Sequence, residues 1–199
     1  MRPHRVTWPG NLAVMGGPFL SVGMVFGLGP LEWGAHHFSE RWVLDWGVGF
    51  FFALCVLGPL GWRRQLSYSR RLVGFALSLL SWHWAVGFAS AAYSPVSTSW
   101  ESLLFLGRSG LAGALGAAAV ALAPLAGREE WERRLGVIAA AGGMCGTQMG
   151  LLCLWKFDYG FWLGLLGWQF AVTAILLVAT GKRSTKSLFA WTWPQITRP

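Results

Sequence analysis

One histidine stands out as a group able to do chemistry. His83 lies in the run Ser81-Trp82-His83-Trp84, inside a long apolar stretch. It is 11 residues past Leu72, where that stretch begins, so in a helix it sits roughly 17 Å along. A neutral imidazole at that depth suits the iron of a haem or the magnesium of a chlorophyll-type ring. It suits equally a hydrogen bond to a neighbouring helix. Gln148 falls roughly 20 Å into a later apolar stretch by the same rise. It is expected level with His83, as its candidate hydrogen-bond partner, because a buried amide needs one. Gln169, in the last apolar stretch, calls for the same explanation.

The remaining polar groups point to less. His36 and His37 sit between Glu32 and Glu40 and read as an exposed loop rather than a metal site. Asp45 is near enough to Arg41 for an interfacial ion pair, and Arg108 can snorkel to the interface. His4 lies in the N-terminal segment. Cys55, Cys145 and Cys153 fall in apolar stretches without metal-type spacing and read as small hydrophobes. No Walker loop, HExxH or GxSxG occurs, so no catalytic residue or metal site is assigned.

The elements holding these residues follow from composition. Only 12% of the 199 residues are charged and 54% are hydrophobic. A water-soluble domain carries roughly 25% charged residues, so an ordinary soluble enzyme is excluded and an integral membrane protein is expected. Six stretches are long enough to span a bilayer: 11–29, 43–61, 72–93, 109–126, 135–155 and 161–180. The expected fold is therefore an all-α bundle of six transmembrane helices over 11–180. A short segment 1–10 precedes it, retained rather than cleaved as a signal peptide, and an interfacial tail 181–199 follows.

The net charge of +8 would raise nucleic-acid binding in a soluble protein. Here the placement of the charges matters more, and no nucleic-acid partner is expected. With the N-terminus inside, the inner loops and tails hold 13 basic residues, among them Arg63, Arg64, Arg70, Arg71, Arg128, Arg133 and Arg134. The outer side holds Arg41, Arg108 and Lys156. The positive-inside rule then places both termini in the cytoplasm of a bacterial inner membrane. Trp33, Trp42, Trp46, Trp100, Trp155 and Trp162 gather near the outer boundary. Trp8, Trp62, Trp131, Trp191 and Trp193 gather near the inner one, as aromatic belts do. Gly142, Gly146 and Gly150 repeat at a spacing that lets helix backbones approach, as do Gly23 with Gly27 and Gly160 with Gly164.

Several of these pieces, in order, resemble the ferric-reductase-like transmembrane domain family. Within it they are most similar to the haem-binding membrane subunit of the methionine sulfoxide reductase system. Pro30-Leu31-Glu32 followed by His37-Phe38 and Trp42 resembles its first outer loop. Pro59-Leu60, the basic loop and Arg70-Arg71-Leu72-Val73-Gly74 resemble its second inner loop and third helix. Arg108 opening the fourth span, Pro124-Leu125 ending it and Trp131 before the fifth also fit. The similarity covers residues 30–155.

The family holds b-type haem through histidines on the third and fifth spans. The resemblance places the first ligand at His83, or at Trp84 in a gapless match from Arg71. Leu135 and Gln148 stand where the fifth span of the family carries histidine. The resemblance thus implies a haem-less, non-catalytic accessory subunit that scaffolds or stabilises a larger respiratory or photosynthetic membrane complex. Its partners would be the lipid bilayer and other integral subunits. The alternative is an electron-transfer subunit of a periplasmic reductase system with a single haem b on His83. Contact of His83 with a chlorophyll-type pigment, and lipid or quinone between the helices, are the other cofactor expectations.

Overall fold

A computed structural model describes residues 8–32, 46–90, 98–128, 130–155 and 160–181. The expectations for His4, His36, His37, Arg41, Asp45, Lys156 and the tail 182–199 lie outside the described residues.

The described chain is helical, with no strand among those residues. Its elements are α1 (Trp8–Glu32), α2 (Val48–Arg63), α3 (Tyr68–Ser90), α4 (Ser99–Leu125), α5 (Trp131–Leu154) and α6 (Gly160–Ala179). Each overlaps one of the six expected stretches. By length and composition α4, α5 and α6 are able to cross a membrane. Consecutive helices pack on each other, and α6 returns to pack on α1.

The largest departure from the expected boundaries is at α4. The helix begins at Ser99, not near residue 109, so Arg108 lies inside it rather than opening it. The reason is a capping box. Thr98 Oγ1 accepts from the Glu101 amide at 3.3 Å, and Glu101 Oε2 accepts from the Thr98 amide at 2.9 Å. Two otherwise orphaned amides are satisfied, so the helix starts there. Arg108 is half-buried, with its guanidinium 5.4 Å from the centre of the Phe88 ring.

α2 carries a π-helical stretch, Ala53–Leu57. The Gly58 amide donates to the carbonyl of Ala53, five residues back. Pro59 follows directly; it has no N–H, and its ring would press on the carbonyl four residues back. Widening the turn accommodates it. The displaced Cys55 carbonyl lies against Gly17 of α1, where a Cβ would collide with it.

Glycine sets the closest packing. The carbonyls of Gly142 and Ser109 lie where side chains at Gly113 and Gly146 would begin, and Gly150 abuts the Ser109 side chain. The stripe Gly142-Gly146-Gly150 is thus the seam between α5 and α4. Gly160 and Gly164 similarly seat α6 on Leu152 and Met149 of α5. Gly23 meets nothing within 4 Å. The core joins Phe52, Val56 and Leu60 of α2 to Val120 and Leu125 of α4, Ile138 of α5 and Trp168, Val172 and Leu176 of α6.

Candidate functional site

Three features of the bundle are chemically distinctive: the surroundings of His83, a partly open cavity between the helices, and the end where the arginines gather.

The fold places His83 and Trp84 on the exposed face of α3, Trp84 at 74% exposure. Trp82, one residue earlier, turns inward and is buried. The imidazole of His83 stacks on the indole of Trp46, with ring centroids 4.4 Å apart and planes at 10°. His83 is about two helical turns from the end of α3, and Gln148 lies at a similar distance from the end of α5. The two are level, but they are not brought together. α4 lies between α3 and α5, and Gln148 is exposed on its own face of the bundle. Gln169 has the opposite placement. It is fully buried, and neither its amide nitrogen nor its oxygen has a hydrogen-bond partner among the described residues. The hydroxyls of Thr173, one turn on, and of Ser21 in α1 are likewise buried and unpartnered.

The cavity was not legible in the sequence. It measures about 440 Å³ and is walled by α2 to α6. Its lining is mostly apolar, with Phe52, Phe105, Trp168 and Leu165 prominent. Its polar groups are largely spent on the main chain. Ser78 Oγ donates to the Gly49 carbonyl at 2.9 Å, Ser81 Oγ to the Ser78 carbonyl at 3.3 Å, and Trp168 Nε1 to the Gly113 carbonyl at 3.2 Å. The soft donors on its wall are the Met149 thioether and the Cys153 thiol; among the described residues, no histidine lines it. These residues do not fit a haem held by histidines inside the bundle. They fit an apolar guest such as a lipid chain or a quinone tail. No group of three or more metal-ligating side chains occurs among the described residues.

The arginine end was legible only as charge. Arg64 Nη2 donates to the Leu177 carbonyl at 2.9 Å. Arg128 Nη1 donates to the Thr180 carbonyl at 3.1 Å, and Arg128 Nε to the Pro124 carbonyl at 3.0 Å. Arg134 Nη1 donates to the Ala179 carbonyl. Three arginines from three places in the chain thus close the carboxyl end of α6, whose last carbonyls have no partner within the helix. Burial, then Arg63 and Arg128, push the Arg64 pKa below its ordinary value. Burial, then Arg134 and Arg70, do the same to Arg128.

Compared with known proteins, the chain matches no family model, no curated protein and no solved structure.

Proposed function

We propose that this chain is a six-span subunit of a bacterial cytoplasmic membrane, with both termini inside. In this reading it is a haem-less relative of the ferric-reductase-like bundle. It scaffolds or stabilises a larger respiratory or photosynthetic complex and carries out no reaction of its own.

One observation carries the reading: His83 and Gln148 are both exposed on the outside of the bundle, well within their helices. In a bilayer that outside faces hydrocarbon. A polar group there without a partner costs on the order of 2–7 kcal/mol. Intramembrane imidazoles and amides facing outward therefore call for something beyond the chain to meet them. A neighbouring helix satisfies both. A chlorophyll-type ring carried by a neighbour satisfies His83, since an accessible imidazole can ligate its magnesium from the bundle's outer face.

The test is mild solubilisation from the native membrane, with an absorption spectrum taken oxidised and reduced. The scaffold reading expects stoichiometric partner subunits, and expects their retention to fall in the H83A/Q148L variant while the isolated chain stays folded. Recovery of the wild type as a lone, colourless monomer would overturn it. A reducible Soret band belonging to this chain and lost in His83→Ala would replace it with single-haem electron transfer.

A further inference from the structure

We infer that the arginine cluster at the carboxyl end of α6 is a binding site for the phosphate of an anionic phospholipid. This inference does not rest on the scaffold reading.

The cluster gathers four arginines at one helix end. Arg64, Arg128 and Arg134 converge on Leu177, Ala179 and Thr180. Arg70 reaches the same end, with one guanidinium nitrogen 3.4 Å from where a Cβ on Gly127 would sit. A helix carboxyl terminus supplies only about half a negative charge. Among the described residues, the charges that bear on Arg64 and Arg128 are other arginines. Arg134 is 9% exposed, and the buried Nε of both Arg64 and Arg134 has no hydrogen-bond partner among the described residues. A guanidinium has five N–H donors, and the main-chain carbonyls engage one or two of each. The half-buried Arg64 and Arg128 and the exposed Arg70 are the members an anion can reach, and they keep N–H donors beyond those given to the main chain.

The setting selects the kind of anion. Planar guanidinium forks match phosphate oxygens in pairs. Basic pockets between helices at the membrane surface take lipid headgroups. Trp62 and Tyr68, both strongly exposed, flank the cluster, and the Arg71 guanidinium lies 5.8 Å from the centre of the Trp62 ring. Exposed aromatics of this kind sit at headgroup level. A phosphate on a lipid reaches the site from the bilayer, where its local concentration is high.

The experiment is thermal denaturation of the full chain in neutral detergent. Phosphatidylglycerol, phosphatidylcholine or inorganic phosphate is added at equal phosphorus. The expected result is a rise of a few degrees in the midpoint with phosphatidylglycerol and none with the other two. The R64Q/R128Q variant should bind phosphatidylglycerol at least tenfold more weakly, while Arg108→Gln, in the outer half of α4, should keep wild-type affinity. If the double variant does not fold, the three wild-type titrations still decide the matter. Equal stabilisation by phosphatidylcholine would overturn the site. Equal stabilisation by inorganic phosphate would overturn the lipid as its ligand. Unchanged affinity in the double variant would overturn the role of the arginines.

Discussion

His83 lies flat against Trp46, ring centroids 4.4 Å apart and planes 10° from parallel, so the imidazole points away from the cavity. Trp82, the preceding residue, takes the interior position. The two neighbours should therefore respond oppositely to truncation. His83→Ala is expected to cost about 0.5–1.5 kcal/mol, the worth of one ring pair. Trp82→Ala is expected to cost about 3–5 kcal/mol, as a large side chain lost from a core. Thermal denaturation of the two variants checks this. A His83→Ala loss as large as that of Trp82→Ala would place His83 in the core instead.

The α4–α5 seam predicts a position-dependent response to added carbon. Gly113→Leu and Gly146→Leu each drive a side chain into main-chain atoms of the facing helix. Overpacking of this kind costs about 1–3 kcal/mol or more, and at a backbone-to-backbone contact the high end applies. Gly23→Ala meets open space and should gain about 0.5–1 kcal/mol from helix propensity. Expression level and melting midpoint of the three variants separate these outcomes.

Gln169 predicts a stabilising substitution. Its carboxamide is fully buried with both ends unpartnered. Leaving such a group unsatisfied costs about 1–3 kcal/mol, and leucine has a similar volume. Gln169→Leu should therefore raise the melting midpoint. A clear fall would mean that the amide has a partner in the native membrane.

The arginine end predicts a salt response with little pH response. Because the folded state disfavours the charge on Arg64 and Arg128, through burial first and neighbouring arginines second, their pKa values fall below the ordinary arginine value. For a cation this sign means stability rises only as pH climbs through the lowered folded value. Between about pH 6 and pH 9 these groups stay charged in both states and contribute no slope. Screening is the available relief, so stability in detergent should increase with sodium chloride up to a few tenths molar. That increase should shrink in Arg128→Gln, which removes one of the repelling charges. Salt-dependent melting curves of the two proteins test this, and parallel curves would refute it.

Much of the scaffold was legible because its signals are local. A long apolar run must become a helix if it is to be sheltered from water, and Pro and Gly mark where helices bend or touch. The early start of α4 was also readable in principle, since Thr98 and Glu101 have capping-box spacing. It was obscured because Arg108 looked like the end of an apolar run. Which way His83 and Gln148 face was not legible, for a different reason. Depth along a helix follows from counting residues, but the direction a residue faces depends on which helices pack beside it.

Composition and spacing alone establish that the chain is apolar and helical, where the six helical stretches among the described residues lie, and which loops carry the positive charge. These are sums over neighbouring residues. Tertiary structure alone decided that His83 and Gln148 face outward while Trp82 and Gln169 face inward. It also decided that the helices leave a partly open cavity between them, and that Arg64, Arg128 and Arg134 meet at the end of α6. The physical reason is that a helix fixes the angle between its own residues but not its rotation about its axis. That rotation is set where helices touch, at the glycine seam of α4 and α5 and at the contact of Gly17 with the widened turn of α2.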